Sequence, residues 1–319
     1  MAQVEYFINM KHLINTIIIA SLTTFASTLS ANEPVKENAY NLWPSGRMPG
    51  TSAPEYQLNK RKMVSAIKDP TIEIFLVKSD KPTPFVVICP GGGYNILAHS
   101  HEGVQIAEWL NSIGVSAGVL RYRVPQNPEG ALQDAQRAIK IVRQNADKVD
   151  WNIDTKKIGV IGFSAGANLC ARISTNYKKL AYDRIDNTDT LSARPDFTML
   201  IYPAYCDEQG NERRWNKTKV DFKADYNKLY KIAKNLPIDK NTPPVFIAQS
   251  LDDKNYINAG IAYFLEAKKA GVSANLHIFE KGGHGYGLAD GRYSGKGIQS
   301  AWTKLAEDWL KSKGFALTK

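Results

Sequence analysis

From residue 71 onward the chain alternates short apolar runs with stretches whose apolar residues recur every three or four positions. The alternation predicts strands over 71–77 (TIEIFLV), 84–89 (PFVVIC), 115–121 (VSAGVLR), 157–161, 197–202 (FTMLIY), 244–249 (PVFIAQ) and 275–279. Helices are predicted over 103–112, 130–148, from Ser164 onward, 258–270 and 297–312. Short apolar strands separated by amphipathic helices imply right-handed crossovers and a mostly parallel sheet covered on both faces. Within ALQDAQRAIKIVRQNA, Leu132, Ala135, Ala138, Ile139 and Val142 fall at helical spacing and should form a buried stripe. No internal repeat or low-complexity tract interrupts the order.

Two segments stand outside it. At the N-terminus Lys11 and His12 precede LINTIIIASLTTFA, which ends in the small residues STLSA before the polar NEPVKEN. This is the pattern of a secretory signal peptide over residues 1–31, leaving a single domain over 32–319 and a secreted or periplasmic protein. The run is too short and too rich in Thr and Ser for a membrane span, and no comparable run follows. Met10 makes a better start than Met1, since MAQVEYFIN carries an acidic residue where a basic one is expected. Residues 205–241 are the second exception, with charge and aromatics (Arg213, Arg214, Trp215, Phe222, Tyr226, Tyr230) in a connection longer than usual. Phe222, Tyr226 and Tyr230 are four apart and would share a helix face, either covering the sheet edge or capping a binding site.

The composition, 43% hydrophobic and 23% charged, is that of a soluble globular protein. Cys89, Cys170 and Cys206 are odd in number and unclustered, which argues against a disulfide framework, and none lies where a lipid anchor would need it. The net charge of +10 belongs to the domain, because Lys11 and Glu5 cancel in the leader. No zinc spacing, helix-turn-helix or RNA-binding signature accompanies it, so a nucleic-acid partner is not expected. The charge reads as a general surface bias, one that would suit an acidic polysaccharide.

Candidate chemistry centres on KIGVIGFSAGANLCARI. Gly162-Phe163-Ser164-Ala165-Gly166 matches G-x-S-x-G, directly after a strand and opening a helix, the setting in which a serine sits exposed on a strained turn. The competing reading makes Ser164 a helix cap. A serine hydroxyl needs a base to become a nucleophile. Of the five histidines, His12 leaves with the leader, and His99 and His101 precede Ser164. His277 lies mid-strand, whereas His284, in KGGHGYG, follows the strand's C-terminal end, where open parallel sheets place ligands. His284 is therefore the expected base and His277 the alternative. A carboxylate to orient the imidazole is expected after PVFIAQ, where SLDDKNY offers Asp253 as first choice and Asp252 in reserve. The loop Cys89-Pro90-Gly91-Gly92-Gly93-Tyr94 can turn N–H groups toward a developing oxyanion, joined by that of Ala165. It lacks a phosphate-loop pattern. No metal and no cofactor are expected. Tyr94 and Tyr286 flank these loops, and their rings would suit stacking against sugars unless they merely pack the loops.

In order, PGGGY, GFSAG, SLDDKNY and GGHGYG resemble the α/β-hydrolase superfamily, and the surrounding wording resembles secreted bacterial acetyl xylan esterase-like enzymes. The likeness runs from NLWPSGRMPG to the end. It implies an α/β-hydrolase fold, a mostly parallel sheet with helices on both faces, in which residues 205–241, between the sixth and seventh core strands, would be either a surface helix at the sheet edge or a small cap. It further implies Ser164 as nucleophile, His284 as base, an Asp of the DD pair as third member, Gly92, Gly93 and Ala165 as oxyanion donors, and an acylated carbohydrate substrate, with acetyl the expected group. Two departures stand out: Ala167 where such enzymes often have Gly, and KNYINAG where they usually carry a Val-rich, Pro-containing stretch. The competing functions are a serine peptidase of prolyl oligopeptidase type, which lacks here a propeller-sized N-terminal domain, and a non-catalytic exported carbohydrate-binding protein.

Overall fold

The run TPFVVIC is buried at every position, as a strand covered on both faces must be. It is the inner strand of a sheet in the computed structural model of the protein, which describes residues 38–51, 57–58, 63–216 and 230–316. These fall in one compact unit, Lys36–Lys319. The expected leader, residues 1–31, lies outside the described residues, as do Phe222 and Tyr226. Among the described residues no helix is long and apolar enough to cross a membrane.

The eight strands of this sheet are β1 (Ala39–Asn41), β2 (Thr71–Phe75), β3 (Thr83–Cys89), β4 (Ser116–Arg121), β5 (Ile153–Phe163), β6 (Thr198–Ile201), β7 (Val245–Ser250) and β8 (Ala274–Phe279). They lie in the order β1-β2-β4-β3-β5-β6-β7-β8. β1 and β2 are antiparallel to their neighbours, and every pair from β4 through β8 is parallel. The helices are α1 (Gln105–Ser112), entered through a π-helical turn at Ser100–Val104, α2 (Pro128–Asn145), α3 (Ala165–Asn176), α4 (Glu208–Asn216), α5 (Ile257–Lys269) and α6 (Trp302–Ser312). Alternate residues of β3 feed two cores: Phe85, Val87 and Cys89 pack with α2 and α3, while Val86 and Ile88 pack with α1 and α6.

The expected stripe of α2 is buried throughout, from Leu132 to Val142. The helix also buries Asp134, Arg137 and Lys140, which periodicity assigns to solvent. The approach segment around Trp43 covers that side: Trp43 Nε1 donates to Asp134 Oδ1 at 2.8 Å, and Arg123 pairs with the same carboxylate at 2.9 Å. Arg137 Nε donates to the Leu42 carbonyl at 2.9 Å, and its guanidinium pairs with Asp186 at 2.6 Å and Asp189 at 3.0 Å. Lys140 Nζ donates to the Asp189 carbonyl at 2.9 Å, so each of these buried charges is matched, the condition for keeping one inside. α2 begins two residues earlier than its apolar pattern suggests, because Asn127 accepts the Gly130 N–H and Pro128 suits the first turn.

Candidate active site

Parallel strands bring their C-terminal ends to one edge of the sheet. Ser164 follows β5, Asp253 follows β7, His284 follows β8, and the Gly91–Gly93 turn follows β3. Residues scattered over nearly two hundred positions therefore meet at one rim.

Ser164 holds φ 52° and ψ −117°, a left-handed conformation that costs a non-glycine residue on the order of 1–3 kcal/mol. Backbone on both sides secures it: the Ser164 N–H donates to the Ile201 carbonyl at 3.1 Å, and the Ala204 N–H donates to the Ser164 carbonyl at 3.1 Å. The turn is also too crowded for side chains. A Cβ on Gly166 would lie 2.0 Å from the Cys89 carbonyl oxygen, so the helix can close on β3 only with glycine there.

His284 Nε2 stands 2.7 Å from Ser164 Oγ, and its Nδ1 stands 2.6 Å from Asp253 Oδ2. The Asp253 side chain is 1% exposed and the imidazole 27%, so the carboxylate is sealed beneath a histidine open to solvent. Gln249 Nε2 donates to Asp253 Oδ2 at 3.1 Å, and the N–H groups of Asn255 and Tyr256 donate to Oδ1 at 3.3 and 3.2 Å. Asp252 is exposed and instead accepts the Gly283 N–H at 2.8 Å, a bond that holds its carboxyl below the usual carboxylate range. His277 is on β8 with its ring 5.0 Å from Phe246, and burial lowers its pKa.

The glycine turn lies against the serine: a Cβ on Gly91 would come within 3.0 Å of Ser164 Cβ. Gly92 has φ +133°, and its carbonyl accepts the N–H groups of Asn95 and Ile96, so its side-chain position points into backbone. Arg214 of α4 donates to the Gly93 carbonyl at 2.7 Å, and Arg213 donates to the Asn255 carbonyl at 3.2 Å. The described part of the 205–241 segment therefore touches both the glycine turn and the loop after Asp253.

The two tyrosines expected to stack against substrate are buried. Tyr94 is fully buried, its hydroxyl donating to Asn168 Oδ1 at 2.9 Å, and Tyr286 is 2% exposed with its ring edge-on to Tyr202 at 4.4 Å. Both pack the loops they punctuate, because each follows a glycine turn that folds its side chain inward. The half-buried ring beside the histidine is Tyr256, its centroid 4.7 Å from that of the imidazole and 5.5 Å from the guanidinium carbon of Arg213. Tyr256 lies three residues beyond Asp253, in the KNY stretch where the chain departs from the expected wording. A separate cleft of about 510 Å³, lined by Tyr40, Trp43, Arg137 and Asp186 among others, lies along α2 and shares no residue with this site. Among the described residues no cluster of His, Cys, Asp and Glu is placed to hold a metal ion.

Comparison with known proteins agrees with this architecture. The chain is 31% identical over 235 residues to an acetylxylan esterase of Xylanibacter ruminicola, covering 71% of this chain and 45% of that protein. It is 28% identical over 231 residues to endo-1,4-beta-xylanase B of Butyrivibrio fibrisolvens, covering 70% of this chain and 36% of that one. The chain thus spans less than half the length of either curated relative. Among solved structures, an acetyl ester-xyloside bifunctional hydrolase from Caldicellulosiruptor lactoaceticus matches at 32% identity with a TM-score of 0.68, over 87% of this chain and 96% of that one. The BD-FAE family model matches residues 72–260, from β2 into α5. Its span takes in the glycine turn, the serine elbow and the Asp pair, and the chain, an α/β-hydrolase in fold, belongs to the BD-FAE family.

Proposed function

We propose that the protein is a serine esterase that removes small acyl groups, acetyl foremost, from a glycan outside the cytoplasm. The observation that carries the reading is the unbroken line Ser164 Oγ, His284 Nε2, His284 Nδ1, Asp253 Oδ2, with separations of 2.7 and 2.6 Å. Such an arrangement lets the hydroxyl lose its proton as it attacks.

Ser164 Oγ bonds to the ester carbonyl carbon while its proton passes to His284 Nε2, and the carbonyl π pair moves onto oxygen. The oxyanion is met by the N–H groups of Gly92, Gly93 and Ala165, and Asp253 stabilises the imidazolium. As the pair returns, the carbon–alkoxide bond breaks, and the leaving sugar oxygen takes the proton from Nε2. Water then repeats the sequence on the acyl-serine: Nε2 accepts its proton, hydroxide oxygen bonds to carbon, and Ser164 leaves reprotonated. One ester and one water give one acid and one alcohol.

The names of the relatives support acetyl groups on xylan-type chains as the first substrate to try. Export rests on the N-terminal pattern of residues 1–31. Acetate release from acetylated xylan, together with fluorophosphonate labelling of Ser164, tests the proposal. Absence of both would favour a carbohydrate-binding role, and cleavage of prolyl peptides instead of esters would favour a peptidase.

A further inference from the structure

One buried carboxylate has no part in the steps above. Glu102, in the π-helical turn before α1, is 3% exposed, and both its oxygens are occupied by donors from distant loops. Oε2 accepts the N–H of Gly91, in the glycine turn, at 2.7 Å. Oε1 accepts the hydroxyl of Tyr202, just after β6, at 2.8 Å. The Tyr202 oxygen in turn accepts the N–H of Gly287, in the loop that carries His284, at 2.9 Å. The Tyr202 ring also stands edge-on to the imidazole, with centroids 5.2 Å apart.

An ion pair does not account for the carboxylate. The adjacent His101 Nε2 is 3.8 Å away, and burial lowers its pKa to about 4, so it is neutral near neutral pH. Burial likewise pushes the Glu102 pKa up, opposed by the hydrogen bonds from Tyr202 and Gly91. Burying a carboxyl is costly, and what it offers over a neutral residue of the same shape is two acceptor oxygens at once. Here the two oxygens are spent on joining separate loops.

We infer that Glu102 is a positioning residue, coupling the oxyanion turn to the histidine loop through Tyr202. The inference rests on the esterase reading for its kinetic consequence, though not for the coupling itself. Misplacing reacting groups by a fraction of an ångström affects the transition state more than ground-state binding, so the effect should fall on turnover. Glutamine at 102 keeps the shape but has one acceptor oxygen for two donors.

The test compares wild type, Glu102→Gln, Tyr202→Phe and the double variant, all close to isosteric. Two readouts are taken: kcat and KM on 4-nitrophenyl acetate, and amide hydrogen exchange across residues 90–97 and 282–288. The expected result is a kcat about ten- to a hundredfold lower in Glu102→Gln with KM within about twofold. Exchange should be faster in both segments, and the double variant should be no worse than the worse single one. Wild-type kcat in Glu102→Gln, or exchange that rises beside residue 91 alone, would overturn the inference. If the wild type itself hydrolyses no ester, the proposed function falls, and the exchange measurement still decides the coupling.

Discussion

Asp252 and Asp253 are adjacent in the chain and grip the same loop by different atoms: Asp252 Oδ1 takes the Gly283 backbone N–H at 2.8 Å, and Asp253 Oδ2 takes His284 Nδ1 at 2.6 Å. One neighbour fixes the loop, and the other addresses the imidazole. Asp253→Asn should therefore lower kcat by about 10⁴-fold, since an amide there can favour the wrong histidine tautomer. Asp252→Asn retains an acceptor oxygen and should cost less than about tenfold. Steady-state kinetics of the two variants check this, and reversed effects would transfer the orienting role to Asp252.

Ser164→Ala should abolish ester hydrolysis, on the order of a 10⁶-fold loss in turnover, and leave folding intact. The hydroxyl contributes little packing, and alanine must adopt the same φ of 52°, so the melting temperature should move by only a few degrees at most. Fluorophosphonate labelling should vanish with the activity. Retained labelling would mean another nucleophile.

Acyl preference should run from acetate through butyrate to octanoate in the 4-nitrophenyl series. Among the described residues, the surroundings of the serine and histidine include Tyr256 and the guanidinium groups of Arg213 and Arg214, which offer a long alkyl chain no continuous apolar wall. Relative kcat/KM values read the order directly. Octanoate as the best substrate would overturn it.

Stability in acid should reveal the clamp on α2. Arg137 holds the Asp186 carboxyl down to about 2, below its unfolded value. A carboxyl depressed in the folded state contributes stability that is present above the unfolded pKa of about 3.8 and is lost as pH falls through the folded one. Asp186→Asn should be less stable than wild type at pH 6, with the gap closing between about pH 4 and pH 2. Urea midpoints across that range test it; a gap independent of pH would mean that the pair adds nothing through charge.

Much of the fold is legible in the chain, because the inner strands are continuous apolar runs and each is followed by a helix or a glycine turn. The strand at 157–161 is read short: β5 extends back to Ile153 through DTKK, whose polar residues belong to its less buried end. β1 and the small sheet formed by 57–58, 64–65 and 96–97 are too brief to show any period. Ser164, Asp253 and His284 are legible from their position at strand ends. Glu102 and Tyr202 are not, since their partners lie 11 to 100 residues away and nothing local distinguishes Glu102 from any acidic residue before a helix. Tyr94 and Tyr286 mislead for the same reason in reverse, as an aromatic after a glycine turn gives no sign of which way its ring will fold.

The bonds that pin Ser164 to Ile201 and Ala204 make the serine part of the sheet itself, whereas His284 rides a loop of glycines open to solvent on one side. Parts so differently anchored need not fail together. On warming, the imidazole should wander from the hydroxyl while the strands are still paired, so that inactivation precedes melting and is undone on cooling. A site assembled this way carries its heat sensitivity in His284 and keeps Ser164 in place to the last.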